Sequence, residues 1–243
     1  MQDDATPTPA STDFEAARAA ARPDPAGPPA LRLPFDMRAI DVEPLRTERM
    51  VLRPLAETDA DDVYEYQRLP EVIRYIPWDA RDRTEGHAHT QKRAGMRRLE
   101  NDDDGVLFAM VLEGERSVAD ATRDRVVGDL MLRLGSVEHA QVEVGWVLHP
   151  AFQRRGLAEE GARAVIGLAF DRLGAHRVFA LLDVRNAASA ALCERLGMRR
   201  EGTILEEEYH DGEWEDTAIY GLLRREWYAQ SHERSVQQDA AGA

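Results

Sequence analysis

The string Gln153-Arg154-Arg155-Gly156-Leu157-Ala158 lies between an apolar strand pattern, Gln141–Leu148 (QVEVGWVL), and a helical pattern that opens at Leu157. These residue types suit the binding of an anion. The first amides of a helix lack an intrahelical acceptor, and the helix dipole places positive potential at the same end. A phosphate there meets several N–H donors together. Gly156 allows a tight turn and a close approach of the anion to the backbone, and Ala158 is small for the same reason. Arg154 and Arg155 add charge. The dipole contributes roughly 0.3–1 kcal/mol when exposed and about 2 kcal/mol when sheltered. No Gly-Lys-Ser/Thr follows, so this is not a nucleotide-hydrolase loop. Two of the three glycines of the dinucleotide fingerprint are also missing. The plain alternative is a helix start that carries Arg-Arg-Gly on the surface.

Two further residues have chemistry to offer. Strand alternation sets Glu143, Gly145 and Val147 on one face, and Val142, Val144, Trp146 and Leu148 on the other. A carboxylate on a central strand is costly to bury alone. Glu143 is therefore either a general base at a cleft or half of an ion pair with an arginine. Cys193 is the sole cysteine, which excludes an internal disulfide and a four-thiolate zinc site. Its thiol, of ordinary pKa ~8.5, either donates a proton or fills a small core position. His87 and His89 have no third ligand spaced for zinc and read as solvent-facing helix residues, so no metal is expected. Lys92, Arg93, Arg97 and Arg98 read as a solvated helix face.

The elements that must hold these residues alternate along the chain. Arg49–Leu55 reads as a strand, a helix capped at Thr58 or Asp59 runs to about Leu69, and a second helix spans Thr84–Glu100. Val106–Leu112 and Arg125–Leu134 are strands joined by a polar hairpin loop, and Gln141–Leu148 is the next. A helix over Leu157–Leu173, a buried strand over Arg177–Val184 and a short helix over Ser189–Leu196 follow. Arg199–Glu208 and Thr217–Leu223 close the sheet around the Asp211-Gly212 turn. The fold class is mixed α/β, with an antiparallel front half and one strand–helix–strand unit.

The 243 residues allow one domain with tails: an Ala/Pro-rich flexible segment over 1–38, a domain over 39–230 and a disordered end over 231–243. Leu31, Leu33 and Phe35 are placed to dock on the domain. Thirty-one basic residues against 45 acidic ones give a formal charge of −14, which argues against nucleic acid as the main partner. No apolar run spans a membrane and no signal core opens the chain, so a cytoplasmic protein with a reduced thiol is expected.

Q-R-R-G-L-A after V-E-V-G-W-V-L resembles the acetyl-coenzyme A signature (Q/R-x-x-G-x-G/A) of the GCN5-related N-acetyltransferases. Glu143–Ala169, followed by Asn186–Gly202, is similar to the ribosomal-protein-alanine acetyltransferase (RimJ/RimL-like) subgroup, as is the opening TERMVLRPLAETDADDVYEYQ. The likeness covers roughly Leu45–Glu226. It implies a mostly antiparallel twisted sheet with a splayed pair of parallel strands and flanking helices. It also implies that the coenzyme's pyrophosphate rests on the amides of Arg154 through Ala158, after Gln153. The pantetheine arm would pair with backbone around Trp146, Val147 and Leu148. Asn186 would contact that arm, with Ser189 one turn later; the plain readings are a turn residue for Asn186 and a helix N-cap for Ser189.

The reaction implied is attack of a primary amine on the thioester of acetyl-CoA, the co-substrate. A lysine-like amine of pKa ~10.4 is about 1 part in 2,500 neutral at pH 7, a deficit of ~4.6 kcal/mol, against about 1 kcal/mol for an α-amine. The resemblance sets Glu143 where the family often carries a carboxylate facing the acceptor. It sets Cys193 where many relatives carry an acidic tyrosine, so that role is a departure. It implies an acceptor pocket built by the first two helices and the last hairpin, with Tyr75, Ile76, Pro77 and Trp78 as walls. The acidic hairpin (Glu206, Glu207, Glu208, Asp211, Glu213, Glu215, Asp216) either serves solubility or attracts a cationic acceptor: a basic protein N-terminus, a polyamine or an aminoglycoside. The competing functions are a non-catalytic acyl-CoA sensor of the same fold and a transferase for longer acyl groups. A homodimer is left open.

Overall fold

A computed structural model of the chain describes residues 30–76, 78–210 and 212–230. Of the expected tail over 1–38, residues 1–29 lie outside the described residues, as do Pro77, Asp211 of the hairpin turn and the end over 231–243, whereas Phe35–Asp36 forms a strand and Arg38 opens a helix. Strands β2 (Leu45–Arg46), β3 (Met50–Pro54), β5 (Gly105–Arg116), β6 (Asp124–Ser136), β7 (Gln141–Leu148), β8 (Arg177–Asp183), β9 (Arg199–His210) and β10 (Glu213–Leu223) form one sheet. Their order is β2-β3-β5-β6-β7-β8-β10-β9. A two-stranded ribbon pairs β1 (Phe35–Asp36) with β4 (Arg98–Leu99).

The helices are α1 (Arg38–Val42), α2 (Ala60–Gln67), α3 (Pro70–Ile73), α4 (Arg83–Ala94), α5 (Leu157–Leu168) and α6 (Ala187–Arg195), with a further helix over 224–230. The first eight residues of β5 are all buried, because both faces of the sheet are covered. Phe108 and Met110 join Leu130, Leu132, Val165, Ile166 and Phe170 in the core on the α5 side. Leu107, Ala109 and Val111 meet Leu55, Val63 and Tyr66 on the α2 side. Each fully buried large apolar side chain adds roughly 1.5–3 kcal/mol. Gly161 lets α5 lie close on the sheet: a β-carbon there would come 3.1 Å from Leu130 Cδ1 and 3.2 Å from Met110 Cε.

Every neighbouring pair in this sheet is antiparallel except β7 with β8. That parallel pair is registered only at Gln141↔Arg177, Val142↔Val178 and Glu143↔Phe179. Beyond Glu143 the strands part, as expected of a splayed pair.

Several element boundaries differ from the sequence reading; the hairpin strands run longer, β5 to Arg116 and β10 from Glu213. The second helix ends at Ala94 rather than Glu100, because Gly95 caps it and Arg98–Leu99 pairs with Phe35–Asp36. The long helix is α-helical only to Leu168; Ala169–Leu173 continues as a π-helical turn that Gly174 ends at φ +82°. The short helix starts at Ala187, one half-turn earlier than Ser189. Leu31 and Leu33 pack on the core, Phe35 is buried and so is Met37. Among the described residues no helix is long and apolar enough to cross a membrane.

Candidate active site

The parting of β7 and β8 opens a cavity of about 900 Å³. Its walls include Val144–Leu148 of β7, Leu181 and Leu182 of β8, the loop before α5, and α6. Two left-handed residues shape the loop: Arg154 at φ +59° and Gly156, the N-cap of α5, at φ +79°. The first helical bond runs from Glu160 N–H to the Gly156 carbonyl at 3.0 Å. The amides of Leu157, Ala158 and Glu159 therefore stand in the first turn without an intrahelical acceptor. Gln153, Arg154, Gly156, Leu157 and Ala158 all border the cavity. Arg155 does not; its guanidinium lies over the Phe152 ring, 5.5 Å from the centroid.

The loop is tied down from behind. Arg49 donates to the Arg155 carbonyl at 2.8 Å and, through Nε, to Glu160 Oε2 at 2.8 Å. The Arg49 amide and the Thr47 hydroxyl both donate to Glu160 Oε1. Partial burial pushes the Glu160 carboxyl up, but these hydrogen bonds outweigh it and hold the group below the usual carboxylate range. Gln153 Nε2 donates to the Leu148 carbonyl at 3.1 Å, which joins the loop to the splayed end of β7.

On the other wall Asn186 Oδ1 accepts from the Ser189 amide at 3.0 Å. Asn186 is thus the N-cap of α6, and the capping role weighed for Ser189 belongs to Asn186. The Ser189 hydroxyl instead accepts from Trp146 Nε1 at 3.2 Å, so the indole links β7 to α6 across the gap.

Side chains, not backbone, form the far end. Arg133 donates to Glu143 Oε2 through Nε at 2.8 Å and through Nη2, and to Asp103 Oδ1 through Nη1 at 2.6 Å. Both arginine contacts fall on Oε2 of a buried carboxylate that borders the cavity. The arginine partner weighed in the sequence is therefore real, and it leaves Oε1 without a partner among the described residues. Two steps along the same face, past Met131, Asp129 is 2% exposed and accepts from the Tyr66 hydroxyl at 2.6 Å and from Arg93. Desolvation pushes the Tyr66 hydroxyl well up, with the Asp129 charge adding to it. Tyr75, Ile76 and Trp78 complete the wall.

Residues 49–199 match the family model described as the acetyltransferase (GNAT) domain. The chain belongs to the GNAT family. It is similar to the N-acetyltransferase YnaD of Bacillus subtilis (strain 168), 29% identical over 183 residues that cover 75% of this chain and 98% of the relative. Among solved structures it is similar to a GNAT-family acetyltransferase from Bacillus anthracis, 28% identical, TM-score 0.64, covering 74% of this chain and 98% of that one. It shares the fold of RimL, described as a ribosomal L7/L12 alpha-N-protein acetyltransferase in complex with coenzyme A, at 17% identity and TM-score 0.61, covering 74% and 98%. The protein is an acyltransferase of the GNAT family.

Within this GNAT site three readings from sequence need correction. Cys193 is fully buried in the main core and does not border the cavity. Burial, then the neighbouring Glu194 charge, pushes its thiol up to about 12, so it is a core residue and not a proton donor. Arg93 is not solvated; it is buried against Asp129. A lone carboxylate within the apolar run VVGDLMLRL was the signal for it, since that Asp129 required a buried donor. His87 and His89 are half-buried, His87 against Asp61 at 3.0 Å and His89 against the Trp78 ring at 5.3 Å. Burial, then the Arg93 and Arg81 charges, lowers His89 to about 4. Among the described residues no group of three or more His, Cys, Asp or Glu is gathered to hold a metal.

Proposed function

We propose that this protein transfers an acetyl group from acetyl-coenzyme A to a primary amine, either a protein N-terminal amine or a small amine. The observation that carries this reading is the meeting of two backbone donor sets in one cavity: the first-turn amides of α5 and the unpaired edge of β7. The first fits a diphosphate. The second fits an extended, amide-bearing arm that adds to a strand edge. The RimL structure with bound coenzyme A supports the same assignment.

The coenzyme supplies the activated thioester; the amine nitrogen bonds to its carbonyl carbon, the carbon–sulfur bond breaks, and the amine's proton is released. The chain's residues bind and orient. Gln153, Arg154, Gly156, Leu157 and Ala158 hold the diphosphate, and Trp146, Val147 and Leu148 present the edge for the arm. Asn186 and Ser189 close the opposite wall. Glu143 takes the proton through Oε1 while Arg133 fixes Oε2. An α-amine acceptor asks little of this base, because its deprotonation costs only about 1 kcal/mol at pH 7. Tyr75 and Trp78 bound the acceptor's space.

The test is thiol release from acetyl-CoA against a panel of N-terminal peptides, polyamines and aminoglycosides. Turnover with amines of one class supports the reading. Coenzyme binding without turnover across the panel would overturn it in favour of a sensor.

A further inference from the structure

The sheet floor of the cavity carries three rungs of facing residues: Arg133 with Glu143, Met131 with Gly145, and Asp129 with Val147. The β6 members of the outer rungs are held by ion pairs, Arg133 with Glu143 and Asp129 with Arg93. The middle rung is built otherwise. It sets a residue with no side chain against an unbranched thioether that turns about three bonds. A β-carbon on Gly145 would stand 3.4 Å from Met131 Cε and 3.8 Å from Met131 Cβ. The methionine therefore lies over the space that Gly145 leaves open. Both residues are half-buried, and Met131 is the apolar member of the β6 trio that lines the cavity. Val147 and Val72 of α3 line the cavity as well and, like Met131, pack against the α2-side core.

The course assigned to the coenzyme ends at this rung. Its diphosphate lies near Gly156, and its arm follows the free edge of β7 from Leu148 towards Glu143, where pairing with β8 closes the gap. A thioester at the end of that arm comes to lie beside Gly145, one rung from the carboxylate assigned to the amine's proton. We infer that Met131, lying over Gly145, limits the acyl group that this protein transfers: an acetyl methyl fits against the thioether, and a longer straight chain must displace it. The inference rests on the transferase reading above and names the acyl class of its donor. The outer rungs keep a longer chain from turning aside. Along β6 a hydrocarbon tail would meet the Arg133–Glu143 pair on one side and the Asp129–Arg93 pair on the other, and covering charged groups with apolar surface is costly. One methylene in a shaped apolar pocket changes specificity by about 10–200-fold, and a flexible methionine wall sets the lower end of that range.

Calorimetry with coenzyme A, acetyl-CoA, propionyl-CoA and butyryl-CoA tests this without an acceptor. On the unaltered protein acetyl-CoA should bind as tightly as coenzyme A, butyryl-CoA about tenfold or more weaker, and propionyl-CoA between them. Met131→Ala should bring butyryl-CoA level with acetyl-CoA and leave coenzyme A affinity as it was, a gain that an unfolded variant does not produce. Gly145→Ala should weaken acetyl-CoA relative to coenzyme A, because its methyl takes the space of the acyl methyl. Thiol release with the peptides and polyamines named above should follow the same order, with Met131→Ala raising the butyryl-to-acetyl rate ratio by about tenfold or more. Equal affinity of the unaltered protein for the three acyl coenzymes overturns the inference, and so does a Met131→Ala variant that still binds butyryl-CoA weakly. If the acyl coenzymes bind in the predicted order but no amine releases thiol, the transferase reading fails and the acyl limit stands as a binding property. If thiol is released at equal rates from acetyl-CoA and butyryl-CoA in both proteins, the acyl limit alone fails.

Discussion

The two ends of the cavity are built from different materials. At the α5 end the donors are backbone amides, shaped by left-handed Arg154 and Gly156 and braced by Arg49 and Glu160. At the β6–β7 end the polar groups are side chains brought from distant segments: Asp103, Arg133 and Glu143 in one chain, Tyr66, Arg93 and Asp129 in another. A backbone site tolerates many side chains but depends on conformation. A side-chain site tolerates conformational detail but depends on each partner being present. The first kind suits a ligand part that is always the same, and the second suits an acceptor that varies.

The sharpest way to break this comparison is at Gly156. Gly156→Glu puts a side chain at φ +79°, close to Arg49, and negative charge where the diphosphate is assigned. Coenzyme A affinity should fall by about a hundredfold or more, ~3 kcal/mol. Unchanged affinity in calorimetry would remove the loop from the site. At the other end Arg93→Ala strands Asp129 in a buried position. Unfolding in urea should show a loss of about 3–5 kcal/mol, the cost of leaving one partner of a buried pair alone. A loss below about 1 kcal/mol, the range of an exposed pair, would mean that Asp129 is solvated.

Glu143→Gln sharpens the contrast kinetically. Turnover should drop more for a lysine-type amine than for an α-amine, with the larger loss of order a hundredfold, because only the former needs substantial help with its proton. Equal losses would argue that Glu143 supports structure alone. Asn186→Ala should cost about 1 kcal/mol of stability through the lost helix cap; thermal unfolding reads it, and no change would deny the cap.

A separate effect concerns pH. His89 titrates near 4 in the fold against 6.5 as its ordinary value. Between those values the unfolded chain binds a proton that the native state refuses. Stability should therefore fall as pH drops from about 6.5 toward 4, and level off below. His89→Gln should flatten that part of the unfolding profile; an unaltered slope would contradict the assignment.

Legibility follows the same division. Gln153–Ala158 could be read because a strand, a glycine turn and a helix start are contiguous in sequence, and the parting of β7 from β8 came with the family resemblance. Glu143 was visible by alternation, but its partner Arg133 depends on the β6–β7 register, in which the two are directly opposite. Arg93 was misread because α4 is polar nearly throughout, and one buried position on such a helix leaves little periodic signal. For Cys193 the sequence left a proton donor and a small core residue both open, and only the packing of the helix that carries it sets the side chain in the core.

The most direct measurement compares coenzyme A with pantetheine, which lacks the diphosphate, by calorimetry on the unaltered protein. Saturable heat with coenzyme A and affinity lower by about a hundredfold with pantetheine is the predicted result. Equal affinity for the two, or no heat from coenzyme A, would contradict the claim that main-chain nitrogens near Gly156 hold the ligand.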